Sequence, residues 1–230
     1  MTALRVLGIV PARAGSKRVA KKNLRVVGGK PLVRWALDAA LAAESLARVV
    51  CSSDDPEVLA IAESIDPGMV LRRPAALATD TALAVDYVRH AIAELGETFD
   101  AICIVQPTSP FTRGSDIDAT VALLAASGAD SAVTVMPLDH AIHPSKLKRL
   151  EGDRLVGYLE VEEGTAAHQL PELYVRNCAV YVTRPHVIDS GRILGADCRG
   201  HVMPRERSID INDELDLAIA EVMLKRMEET

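Results

Sequence analysis

Residues 9–24 read IVPARAGSKRVAKKNL. An apolar run gives way at once to Arg13, Lys17, Arg18, Lys21 and Lys22, gathered around Gly15 and Ser16. Cations at that density suit a polyanion. Arg13, Lys17 and Lys22 can surround a triphosphate, while Ser16 and the loop amides donate further hydrogen bonds. Gly15 lets the backbone come close to such a ligand. The loop is neither a Walker A sequence nor a dinucleotide fingerprint, because G-x-x-x-x-G-K-[ST] and G-x-G-x-x-G are both missing. The plain alternative is a solvated basic loop, and Arg18 and Lys21 are read that way.

A second chemical cluster sits far along the chain, in SIDINDELDL at 208–217. Asp210 and Asn212 are two residues apart, so in a strand both face one side. Oxygen ligands so placed suit a hard divalent cation, with Asp210 the charged ligand and Asn212 a weaker or water-mediated one. A simple helix start accounts for Asp213 and Glu214 but not for Asp210. Between the two clusters lie RRPAALATDTA (72–82) and QPTSPF (106–111). Asp80 reads as the cap of the helix that follows it. Pro107 and Pro110 stiffen a turn that leaves Gln106 at the carboxyl end of a strand. His140, His143 and His168 match no metal-site spacing and read as scattered polar residues.

These residues need elements to position them. Short apolar runs at 4–10, 47–53, 101–106, 131–136 and 177–183 read as strands. Helical periodicity covers 31–43, 55–65, 82–95, 115–127 and 213–229. Pro31 suits a first helical turn, Asp55 and Asp213 are cap candidates, and Ser115 with Asp118 stands in capping-box-like positions. The alternation predicts an α/β fold: a mostly parallel sheet with helices on both faces and ligands at the carboxyl ends of its strands. The rhythm breaks at 137–172, a polar excursion read as a lid or dimerisation arm, in which RLVGYLEVEE reads as a hairpin. The 230 residues suggest one domain, and 49% hydrophobic residues are ample for a core. A net charge of -6 argues against general binding to nucleic acid or to anionic membrane. No apolar run reaches membrane-span length and no signal-peptide pattern opens the chain, so the reading is cytoplasmic. Four separated cysteines read as reduced, mostly buried thiols.

Five motifs in order, IVPARAGSKRVAKKNL, RRPAALATDTA, QPTSPF, NCAVYV and SIDINDELDL, resemble the acylneuraminate cytidylyltransferase family, the CMP-sialic acid synthetases and their relatives, from about residue 6 to 225. The resemblance implies a Rossmann-like three-layer αβα sandwich of the nucleotide-diphospho-sugar transferase type. It implies attack by the anomeric hydroxyl of a nine-carbon 2-keto sugar acid on the α-phosphate of CTP, with Mg²⁺ or Mn²⁺ at Asp210 and Asn212. Arg13, Lys22 and Asp210 would carry the transfer. Ser16, Lys17, Asn23 and Arg73 would bind nucleotide, Arg73 by donating to cytosine O2 and N3; a turn-forming Asn23 and a surface ion pair at Arg73 are the alternatives. Gln106, Lys146, Arg176 and Asn177 would meet the sugar acid. The family also implies a homodimer. Two departures stand out: Asn212 where many relatives have Asp, and Cys178 where Gly is usual. They motivate a catalytically silent nucleotide-binding alternative; an eight-carbon Kdo-type cytidylyltransferase is the enzymatic alternative. If Asp210 is the metal ligand, Asp210→Ala raises the Mg²⁺ concentration needed for half-maximal turnover by at least about tenfold. Near-normal turnover at limiting Mg²⁺ would refute that assignment.

Overall fold

In the computed structural model, which describes residues 4–159 and 170–229, the first apolar run forms β1 (Val6–Pro11). It is buried on both faces, as a central strand of a doubly covered sheet must be. After the cationic loop, a short ribbon of β2 (Val26–Val27) and β3 (Lys30–Pro31) leads into α1 (Leu32–Leu41). Then follow β4 (Leu46–Ser53), α2 (Pro56–Ile65), β5 (Val70–Arg72), α3 (Ala84–Leu95), β6 (Ala101–Val105), α4 (Gly114–Ser127) and β7 (Ser131–Pro137). The excursion carries a hairpin of β8 (Lys148–Glu151) and β9 (Arg154–Gly157). The chain returns as β10 (Tyr174–Thr183) and finishes with α5 (Pro185–Asp189), β11 (Cys198–Val202) and α6 (Glu214–Glu228).

Among the described residues the main sheet has the order β11-β7-β10-β6-β1-β4-β5. All neighbours run parallel except β10, which is antiparallel to both β6 and β7. The excursion explains the exception. Strand β7 ends at the carboxyl edge, the chain loops out and re-enters at that same edge, and the next strand must run back down. From β1 the order steps outward through β4 and β5, then restarts at β6 on the other side of β1. That reversal opens a crevice at the carboxyl ends of β1 and β6, where open α/β sheets bind ligands.

The core has an apolar layer on each face of the sheet. Val33 and Leu37 of α1, Val58 of α2 and Ile117 and Leu124 of α4 pack with Val6, Val10 and Val105 on one side. Val85 and Val88 of α3 and Ile188 of α5 pack with Leu7, Ile9, Ile102 and Ile104 on the other. A third cluster joins Leu217 and Leu224 of α6 to Val27, Leu32 and Ile211.

Several local readings change. The hairpin lies at 148–157, turned at Gly152 with φ of +67°, and the described part of RLVGYLEVEE supplies its second strand. Residues 160–169, including His168, lie outside the described residues. Asp116, not Asp118, closes the capping box of α4 by accepting from the Arg113 amide at 2.9 Å. Asp118 instead accepts from the Ser45 amide at 2.8 Å and hydroxyl at 2.6 Å, which ties α4 to the start of β4. Residues 208–212 form an irregular loop rather than a strand. Strand β11 escaped the sequence reading because most of it is exposed, so no apolar pattern marks it. The cap assignments at Asp55 and Asp213 match the structure; their carboxylates accept from the amides of Glu57 at 2.9 Å and Asp216 at 3.0 Å.

One contact sets how closely α1 and α4 approach. A Cβ on Gly114 would lie 2.5 Å from the Ala42 carbonyl oxygen and 2.8 Å from the Ala43 nitrogen. Backbone cannot yield there as a flexible side chain would. Gly114→Ala should therefore destabilise the protein by about 1–3 kcal/mol, read as a lower urea midpoint at unchanged slope.

Candidate active site

The crevice at the strand reversal is a cleft of about 520 Å³. The first loop contributes Arg13, Ser16, Lys17, Arg18, Lys22 and Asn23 to its walls. The segment after β5 contributes Arg73, Leu77, Thr79 and Asp80, and α3 adds Tyr87. Gln106 follows β6 directly, and Asn212 closes the far side.

Backbone and carboxylates hold the cationic loop in shape. The Ala12 amide donates to Ser52 O at 3.0 Å, and the Ala14 amide donates to Asp54 at 2.9 Å. The buried Asn23 donates its Nδ2 to Arg13 O at 3.0 Å, so its turn-forming role is realised in a side chain that also lines the cleft. Lys21 adopts the left-handed conformation, φ +49°, and pairs with Glu57 outside the cleft. Its reading as surface charge fits that position. Arg18 differs, since it lines the cleft.

Lys22 reaches 2.9 Å from its Nζ to the Ile211 carbonyl. Burial pushes its pKa below the ordinary lysine value, against the upward pull of Asp210 and Asp216. The first loop and the 208–212 loop are thus stitched together. The Ile211 amide also donates to Thr108 O at 2.8 Å, binding QPTSP to the same assembly. Ile211 itself is fully buried in the third cluster. Its neighbours Asp210 and Asn212 lie together on the other side, with Asn212 Nδ2 donating to Asp210 Oδ2 at 3.0 Å. The expected shared side therefore arises without a strand. The two residues offer one carboxylate and one amide oxygen. That all-oxygen set fits a hard divalent cation that takes its remaining ligands from phosphate and water. Among the described residues no group of three His, Cys, Asp or Glu side chains could hold a metal by itself.

Asp80 does not cap a helix. Helix α3 starts at Ala84, where Asp86 accepts from the Leu83 amide. Asp80 instead bridges Arg13 at 2.8 Å and Lys17 at 2.6 Å. These two cations hold its carboxyl below the usual range, Lys17 foremost. Sequence reasoning assigned it to a cap because a Thr-Asp-Thr run before a helix carries that signal; the long-range pairing has none.

The expected sugar-acid residues separate. Gln106 stands at the cleft, its backbone N–H donating to Ala179 O at 3.0 Å. Asn177 is buried, and its Nδ2 donates to Ser208 Oγ at 2.9 Å and lies 3.2 Å from Met203 Sδ. Its side-chain amide latches β10 to the 203–208 segment. Lys146 lies outside the cleft lining, with Nζ 2.8 Å from His140 Nδ1. Arg176 is exposed on β10, also outside that lining. Beside it the β10–β7 register breaks, and Cys178 takes φ of +61°. That is the left-handed region that favours glycine, the residue that the family resemblance leads one to expect there. Thr134 bridges the break by accepting from the Val180 amide at 3.0 Å.

A doubly covered sheet whose first strand feeds a polycationic loop into the switch-point crevice defines a nucleotide-binding α/β protein. A sequence profile described as cytidylyltransferase matches residues 7–189, and the chain belongs to that family. N-acylneuraminate cytidylyltransferase of Escherichia coli O18:K1:H7 is 28% identical over 218 residues, 94% of this chain and 51% of that protein. CMP-N,N'-diacetyllegionaminic acid synthase of Legionella pneumophila is 28% identical over 233 residues, 98% of this chain and 99% of that protein. The chain thus spans about half the length of the first relative and nearly all of the second. The fold is similar to a CMP:2-keto-3-deoxy-manno-octonic acid synthetase complexed with CTP, with a TM-score of 0.72 at 17% identity, covering 98% of this chain and 100% of that one.

Asp80 brings one negative charge to two of the cations that a triphosphate would need. Asp80→Asn should tighten CTP binding by about two- to fivefold at low ionic strength, with the gain shrinking as salt is added. Weaker binding by calorimetry would mean that the carboxylate organises the cradle instead of competing for it.

Proposed function

We propose that the chain transfers CMP from CTP to the anomeric hydroxyl of a nine-carbon, sialic-acid-like 2-keto sugar acid, releasing pyrophosphate. The convergence of Arg13, Lys17 and Lys22 with Arg73 and Gln106 in one switch-point cleft carries this reading. The relatives named for N-acylneuraminate and for diacetyllegionaminic acid support the nine-carbon class.

The chemistry is a substitution at the α-phosphorus. A bond forms from the anomeric oxygen to phosphorus, the bond to the bridging oxygen breaks, and the hydroxyl proton is lost to solvent. Positioning and charge stabilisation dominate such transfers. Arg13, Lys17 and Lys22 hold the β- and γ-phosphates and the charge that develops as pyrophosphate departs. Arg73 presents donors to the base, and Gln106 meets the acceptor. Asp210 and Asn212 would hold Mg²⁺ or Mn²⁺, which supplies Lewis-acid neutralisation of phosphate charge. The same reading includes a homodimer through 137–172, where Leu150, Leu155 and Tyr158 are exposed. It places the reaction in the cytoplasm; among the described residues no helix is long and apolar enough to cross a membrane.

The test is pyrophosphate release from CTP, UTP, ATP and GTP with Mg²⁺ and a panel of N-acetylneuraminate, legionaminate, pseudaminate, a deaminated analogue and Kdo. Release with CTP and a nine-carbon acid is the expected result. Release with Kdo alone moves the assignment to the eight-carbon class. Binding of CTP without release from any acid identifies a silent homologue.

A further inference from the structure

Arg73 is buried to 6% exposure, yet no carboxylate pairs with it among the described residues. Its guanidinium is held by other means. Nε donates to Ser52 Oγ at 3.1 Å, and Nη2 donates to Ser52 O at 2.8 Å. The Tyr87 ring covers one face, with its centroid 4.4 Å from the Arg73 Cζ. Burial of Arg73 pushes its pKa down, and Tyr87 is the strongest of the neighbours that offset this. Both residues line the cleft. Nη1 is the one nitrogen left, without a partner among the described residues and not sealed from solvent. Two nitrogens are thus tied to Ser52 and the ring plane is clamped. The open edge can present only N–H donors, from a fixed position.

A fixed donor edge distinguishes pyrimidines. Cytosine presents N3 and O2 as adjacent acceptors. Uracil carries a proton on N3, so N–H would face N–H, and a buried donor left unpaired is costly. The discrimination depends on the guanidinium staying in plane. An arginine free to swing can move off the N–H and find a uracil carbonyl instead.

We infer that Tyr87 is a positioning residue for base selection: by clamping Arg73 it fixes the donor edge that admits cytosine and rejects uracil. The inference rests on the proposed cytidylyltransferase reading and deepens it at the base subsite. Tyr87 gives no such signal in the sequence, because it falls on the apolar face of α3 and counts there as an ordinary core residue.

The experiment measures dissociation constants of CTP and UTP by calorimetry without sugar acid, for wild type, Tyr87→Phe and Tyr87→Leu, with thermal unfolding of each apo protein alongside. Tyr87→Phe keeps the aromatic face and should stay within about twofold of wild type for both nucleotides. Tyr87→Leu should weaken CTP by about tenfold and shrink the CTP-over-UTP preference by a similar factor. If the leucine variant does not fold, Tyr87→Met is measured with the same expectation. A leucine or methionine variant that folds and keeps the wild-type preference overturns this inference alone. So does a phenylalanine variant that loses it. Absence of CTP binding by wild type overturns the functional reading and the inference together.

Discussion

Like charges crowded into one crevice set the problem that the rest of the structure answers. Arg13, Lys17, Arg18, Lys22 and Arg73 line a single cleft. Left bare, they repel one another, and burying any of them removes favourable hydration. Three local devices handle four of them. Asp80 bridges Arg13 and Lys17. A main-chain carbonyl receives Lys22. A serine and an aromatic face receive Arg73. A carbonyl, a serine and an aromatic ring carry no full charge, so Lys22 and Arg73 are shielded without being neutralised, and Asp80 brings one negative charge to two cations. A cleft assembled this way keeps its attraction for a polyanion.

The sheet's one antiparallel strand serves the same site. Because β10 re-enters at the carboxyl edge, its Asn177 and Ala179 lie beside the 203–208 segment and Gln106. The break in register at Cys178 lets Ala179 O receive the Gln106 amide while Thr134 satisfies the strand amide that the break frees. Asn177 fastens that corner from inside.

Much of this was legible early. The strand and helix alternation, the caps at Asp55 and Asp213, and the polycationic loop after the first strand all follow from neighbours in sequence. The misreadings share a cause. Asp80 and Asp118 carry cap signals in adjacent residues, yet their partners lie 67 and 73 positions away. Tyr87 was missed because a tyrosine on an apolar helix face looks the same whether it fills core or clamps an arginine. The 208–212 loop was mistaken for a strand because alternating burial, with Ile211 inward and its neighbours outward, needs no ladder partner.

Local chemistry in the chain therefore sufficed for the class of fold and for the polycationic loop that the cleft gathers, and five ordered motifs carried the resemblance to the family. Backbone periodicity and loop composition are short-range properties, and they survive without knowledge of distant contacts. Which charge faces which, and which polar side chain stays open to a ligand, emerged from folding alone. Those outcomes depend on distance and burial between segments that meet only when the sheet closes, as when Lys22 reaches the carbonyl of Ile211 across 189 positions.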